Sequence, residues 1–243
     1  MCSSMSCSMK WRDRSGAPPA PSAPSVGVSI ALSEGNSVIG RVSQPRYTQV
    51  MSSVSVHLGQ DQTPLRLHRI SADRYLRMVD TGVFESEDRV ELIEGVIVDM
   101  MSPSGWSHLS VLHAVAKAFG SLEAAEVCVQ YTLQVNDETV VDPDLMLLPR
   151  DHRIADGIFA NDVLLLVEVA DTSLPFDRGP KAERYAAAGI PDYWIVDVAA
   201  KQILVLRDPT ERGYASIHTI TAGEVRALNV PVAKVTVSEL FPS

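Results

Sequence analysis

Over the first 64 positions the apolar residues keep no sustained period, whereas from Leu65 onward short periodic runs alternate with turn residues. The leader is rich in Ser, Pro, Gly and Met. Its hydrophobic patches are brief, as in Val26 to Leu32, and none has a partner of matching period. That pattern predicts a mostly disordered leader over residues 1–64 and one ordered domain over 65–243. Met51 would serve equally well as a start.

Within the domain, Ser71 is placed to cap a helix running to about Val79, with Tyr75, Leu76 and Val79 on one side. Val90 to Ile93 and Val96 to Met100 read as strands joined at Glu94-Gly95, a hairpin turn. From His108 to Ala125 the apolar residues Leu109, Leu112, Val115, Ala116, Phe119 and Leu122 recur at helical spacing. Val127 to Val135 alternates as a half-buried strand, Asn136-Asp137 turns, and Thr139 to Leu148 forms a strand interrupted by Pro143. Asp162 to Ala170 has the length and branching of a buried strand. Asp177 would cap a helix from Arg178 to Ala188, with Pro180 in its first turn and Gly189 at its end. Tyr193 to Val198 and Gln202 to Arg207 follow as strands, and Ser238 to Phe241 as a last helical turn. The expected class is α/β, an α+β mixed sheet flanked by a few helices.

Composition narrows the possibilities. Of the 243 residues 46% are hydrophobic, enough for a sizeable core, yet no run reaches the roughly 20 apolar residues a membrane span needs. The amino terminus lacks the apolar stretch of a secretory signal. Cys2 and Cys7 lie in the leader and Cys128 stands alone in a strand, too scattered for a zinc cluster or disulfide framework. A reducing cytoplasm is the expected compartment. The formal net charge of −9 argues against a broad cationic surface gripping phosphate backbones. It leaves room for local cations or a bound metal.

The most informative residue is Glu168, inside the strand DVLLLVEVAD. A buried carboxylate is costly unless paired, hydrogen-bonded or bound to metal. It shares a strand face with Leu166 and Ala170, and an ion pair with an arginine at the sheet edge would account for it equally well. Asp144, in VVDPDLMLL, leads into another apolar strand, with Asp142 two residues before it on the same face. A turn carrying solvated acids is the plainer reading of that segment. Together, acids on neighbouring strands would make a hard-cation site of oxygen ligands suited to Mg2+ or Mn2+. Lys181 and Arg184 follow on the next helix. A lysine beside such a site could orient or activate water, although a solvated helix face explains both side chains as simply.

The segments VELIEGVIVDMMSPSGWSH, TVVDPDLMLL, LLVEVADTS and FDRGPKAERYAAAGIPDYWIVD, in that order, resemble the Uma-two family of restriction-type endonucleases. That family is a diverged branch of the PD-(D/E)XK phosphodiesterase superfamily, and the resemblance covers about three quarters of the chain. It implies a restriction-endonuclease-like core acting on DNA. Asp144 and Glu168 would bind Mg2+ (Mn2+ substituting), Lys181 would position or activate water, and Glu91 would add a third acid beside the metal. Where the superfamily commonly places its lysine, two residues past the second acid, this chain has Ala170, and Lys181 on the next helix is the replacement. His108 also matches the family pattern and could contact phosphate or shuttle protons, although a histidine that caps or packs at the helix start explains it equally well; Arg184, on the face adjoining Lys181, is the other candidate for substrate binding. Asp177, Tyr185 and Asp197 match as structural residues, and a homodimer is expected of an enzyme that must cut two strands. Two alternatives stand beside this reading: a non-catalytic interaction module on the same scaffold, and a glycosidase using paired carboxylates, which leaves Lys181 without a task.

Overall fold

The computed structural model describes residues 67–85, 88–100, 105–120 and 122–241, together with the backbone of Val28–Ile30 (β1) and Val56–Leu58 (β2). Contacts divide the chain into residues 1–67 and 68–243. In the first unit β1 and β2 pair antiparallel, Val28 opposite Leu58. Three-residue strands are too short for alternation to stand out, which is why the leader's sequence shows no such pair. The rest of the leader, with its expected disorder, lies outside the described residues.

The second unit is built on a six-stranded sheet. Its strands are Ala125–Val129 (β5), Leu145–Pro149 (β8), Leu165–Ala170 (β9), Asp192–Asp197 (β10), Gln202–Thr210 (β11) and Gly213–Ile220 (β12). The order is β12-β11-β10-β9-β8-β5. Only β9 and β10 run parallel, and the other neighbours are antiparallel. A parallel pair needs a crossover. Here it is a helical run of three pieces: Leu174–Phe176 (α3), a π-helical turn Asp177–Lys181, and Ala182–Ala187 (α4).

Side chains alternate cleanly through this sheet, as the pleat requires. Leu166, Ala170, Tyr193, Ile195, Leu204 and Leu206 face one way. They pack against α4 and against a smaller sheet of Val90–Ile93 (β3), Val96–Asp99 (β4), Leu133–Asn136 (β6) and Thr139–Val141 (β7). That sheet is ordered β4-β3-β7-β6. On the other face Leu165, Val167, Val169, Trp194 and Val196 meet helix Trp106–Phe119 (α2), the hairpin Glu224–Arg226 (β13) with Lys234–Thr236 (β14), and Val237–Leu240 (α5). Helix Ala72–Asp80 (α1), its Ser71 hydroxyl accepting from Arg74 N, covers a third small cluster around Leu92 and Val140.

The expected α/β class and the hairpin at Glu94-Gly95 are both present. Glu94 (φ 50°) and Gly95 (φ 75°) are both left-handed, as a two-residue turn of that hand demands. A Cβ on Gly95 would stand 2.7 Å from that of Arg69, so this turn admits only glycine. Several boundaries differ from expectation. The long helix stops at Phe119 because Gly120 caps it, and the residues from Ala125 belong to β5. Val127 to Val135 is two strands in two sheets, broken where Gln130 turns left-handed (φ 55°). Pro143 likewise separates β7 from β8, which also lie in different sheets. The crossover helix begins at Leu174, so Asp177 lies inside it rather than capping it. Pro180 has no N–H to donate, and the widened π turn accommodates it within the run.

Candidate active site

The point where the two sheets diverge, after Pro143, opens a cleft of about 500 Å³. Asp144 is the residue immediately before β8. In the antiparallel register Leu145 opposes Val167, so Asp144 reaches the level of Glu168 on β9. Its Oδ2 accepts the Val169 amide at 2.8 Å and its Oδ1 accepts His108 Nε2 of α2 at 3.1 Å. β3 contributes Glu91, whose Oε1 accepts the Asp142 amide at 3.2 Å. The π turn delivers Lys181, whose Nζ donates to Glu168 Oε1 at 2.9 Å and to Glu91 Oε1 at 3.4 Å. Tyr185, one turn further, donates its hydroxyl to the same Glu168 oxygen at 2.9 Å. Glu91, Asp144, Glu168 and Lys181 are all buried, and all line the cleft.

Electrostatics here are those of too many acids for the cations present. Among the described residues the cleft lining holds seven carboxylates against Arg89 and Lys181. Burial pushes Glu168 up to about 8; Lys181 opposes the shift, and Asp177, Asp144 and Glu91 reinforce it. Burial also raises Glu91, against the pull of Lys181. For Lys181, burial works against the charge, but Glu168, then Glu91 and Asp177, outweigh it and hold the ammonium well above its ordinary value. The hydrogen bond to Asp144 raises His108. The cluster keeps its protons because positive charge is short.

Of the residues singled out from the sequence, the structure brings Glu91, His108, Asp144, Glu168 and Lys181 into this cleft. Arg184 is elsewhere. Its guanidinium bonds Glu94 at 2.6 Å and Pro180 O at 2.5 Å, in a separate hollow of about 340 Å³. Glu94, in its hairpin turn, is thus tied to the crossover helix. Asp177, read as a cap, lines the cleft instead, its Oδ2 accepting Ser173 Oγ at 2.5 Å. The same FDRGPK segment carries the signal, but a proline ordinarily marks a helix's first turn, whereas here the π turn admits Pro180 inside the run and leaves Asp177 within it. Ala170 is buried in the core, and the ammonium of Lys181 reaches Glu168 without any lysine there.

These residues suit a hard divalent cation in their chemistry. All three acids offer oxygen, Glu91 Oε2 is buried with no hydrogen-bond partner, and the carboxylate excess is what a cation would relieve. Among the described residues no three potential ligands are drawn into a ready-made cage. Magnesium keeps much of its water and commonly takes only one or two carboxylates, so such a cage is not required of it. No helix among the described residues is long and apolar enough to cross a membrane.

Comparison with solved structures finds the same fold in a protein described as a putative nuclease belonging to DUF820 from Anabaena variabilis. It superposes with a TM-score of 0.54 at 16% identity, covering 71% of this chain and 97% of that one. No curated protein matches. The core is therefore restriction-endonuclease-like. Residues 72–238 match the model of the Uma2 family, described as "Putative restriction endonuclease", and the chain belongs to that family.

Proposed function

We propose that the chain is a divalent-metal-dependent endonuclease hydrolysing DNA phosphodiester bonds. One observation carries the reading: Glu91, Asp144, Glu168 and Lys181 converge on one cleft from four separate segments, with Asp144 immediately before the strand that pairs with that of Glu168. Asp144, Glu168 and Glu91 are the residues that would hold Mg2+, with Mn2+ as a substitute. Bound there, the ion would neutralise developing charge and lower the pKa of water. Without it, seven carboxylates would repel a phosphodiester.

The chain's own groups then divide the remaining work. Lys181 keeps its proton, so it orients water and offsets negative charge on phosphorus's oxygens rather than accepting a proton. Tyr185 and Lys181 together fix the Glu168 carboxylate through one oxygen. His108 orients Asp144 and lies in the lining, where its ring would face a bound phosphate. Because one site cuts one strand, a homodimer belongs to this reading for duplex cleavage.

The test is cleavage of supercoiled and linear DNA by the full chain with Mg2+, with Mn2+ and with chelator, alongside Glu168→Ala. Metal-dependent cutting that disappears in the variant supports the assignment. Cutting that persists in the variant, or in chelator, overturns it. A second reading, a non-catalytic module on the same fold, draws on two features: Lys181 already bridges the two glutamates, and no ligand cage is preformed among the described residues. Under it, calorimetric Mg2+ titration would give weak binding indifferent to Asp144→Ala.

A further inference from the structure

Beside the cleft, α2 opens with Trp106, which is 87% exposed between the cleft-lining residues Gly105 and His108. A large apolar ring left in water has no folding benefit at that position, since its burial would have been worth a few kcal/mol. Gln130 also lines the cleft, and the next residue, Tyr131, is 45% exposed. Gln130 holds a left-handed conformation (φ 55°) that is uncommon for its type, and its amide donates to Asp144 O at 3.1 Å. That turn ends β5 and leaves Tyr131 next in the chain to a residue of the cleft wall. Two exposed aromatic residues thus each follow directly on a lining residue, Trp106 after Gly105 at the start of a helix and Tyr131 after Gln130 at a strand break.

The charge balance gives these rings a task. With Arg89 and Lys181 the only lysine or arginine side chains in the described lining, and a net charge of −9 on the chain, binding by counterion release is weak. Stacking of bases on aromatic faces needs no cations and contributes roughly 1–3 kcal/mol per base. In a regular duplex those faces are already covered by neighbouring pairs. We propose, on the basis of the nuclease reading, that Trp106 and Tyr131 form a stacking platform for unpaired bases next to the scissile phosphate. The preferred substrate is then DNA with single-stranded or splayed nucleotides, bound with shallow salt dependence.

Binding without cleavage tests this with Ca2+ in place of Mg2+, so that the carboxylate excess of the cleft stays offset. The full chain has three tryptophans, Trp11, Trp106 and Trp194. In a Trp11→Phe background the exposed Trp106 reports stacking, while Trp194 is buried. Titration with a 12-mer oligodeoxythymidylate should quench the emission, and a blunt 12-base-pair duplex should bind more weakly and quench less. Trp106→Ala, read by anisotropy of labelled oligonucleotide, should lower single-strand affinity about tenfold. Trp106→Phe should restore most of it. A folded Trp106→Ala protein that binds and cuts as before overturns the platform alone and leaves the nuclease standing. Duplex preferred over single strand, with no quenching, also overturns it. Failure to bind or cut any DNA, with Mg2+ or without, overturns the nuclease reading and this inference with it.

Discussion

Among the described residues, two buried clusters of opposite charges are built on different terms. On the β10–β11 pair, Asp192 stands directly opposite Arg207. Its Oδ1 accepts Arg207 Nε at 2.8 Å and Trp194 Nε1 at 3.0 Å; its Oδ2 accepts Leu228 N at 2.7 Å and Arg207 Nη2 at 3.2 Å. Arg207 also donates to Arg226 O, tying the β13 segment to the sheet. Every lone pair there has a partner and every partner is protein. At the cleft, by contrast, Glu91 keeps an unpartnered buried oxygen, Glu168 is pushed toward neutrality, and one ammonium serves two acids. A closed buried ion network secures a fold. An open one with excess charge of one sign is poised for something the chain does not itself supply.

Substitutions that remove one acid from each cluster should therefore have opposite consequences. Glu168→Gln is nearly isosteric and keeps an oxygen for Lys181 and Tyr185. It should reduce metal-dependent DNA cleavage to background while Tm holds or rises, because the neutral amide removes the cost of burying a carboxyl group that is ionised in the unfolded chain. A large loss of Tm would instead place Glu168 with the structural cluster. Asp192→Ala leaves Arg207, Trp194 and the Leu228 amide without their acceptor. Thermal unfolding should show a loss of about 3 kcal/mol, roughly 6–12 °C in Tm for a domain of this size. Cleavage per folded molecule should stay unchanged, and lost activity at a temperature where the variant is folded would break the contrast.

Proton linkage sharpens the same contrast more gently. In the folded chain Glu168 keeps its proton up to about pH 8, against an ordinary value of 4.5. Across that interval the folded state binds more protons than the unfolded one, so stability is greatest below pH 4.5 and falls as pH rises toward 8. Glu91, Asp177 and His108 shift in the same direction, and Lys181 is protonated in both states throughout the window. Tm in chelator should therefore fall between pH 5 and 8, and saturating Mg2+ should flatten the slope. A metal-insensitive slope would mean the acids do not meet the ion. The smallest effect should come from Arg184→Ala, whose partner Glu94 is about a third exposed; a loss of under about 1 kcal/mol is expected by denaturant titration.

Much of this architecture was legible in the chain itself. Glu168 betrayed itself as a charge inside LLVEVA, and the β3–β4 hairpin by its Glu-Gly pair between apolar runs. Alternation also read correctly through β9 and β10. What stayed hidden depended on partners distant in sequence. Nothing in Val127 to Val135 shows that one half pairs with β8 and the other with β7, since the apolar period continues through Gln130 and only the backbone turns. Asp192 was passed over because its meaning lies in the register with Arg207, 15 residues away. Arg184 was grouped with Lys181 because both share a helix, yet the π turn that ends at Lys181 turns the two side chains toward different hollows.

That turn also separates two design problems usually solved by one residue. A lysine at position 170 would have to emerge from the same strand as Glu168, so any adjustment of its reach would disturb the pleat, the register with β10 and the core beneath. Here position 170 is free to be a small packing residue, and the cation arrives from a π-helical turn that is not part of the sheet. The ammonium's position is in effect an independently adjustable part, so changes confined to Asp177–Lys181 should tune it while the acids keep their places.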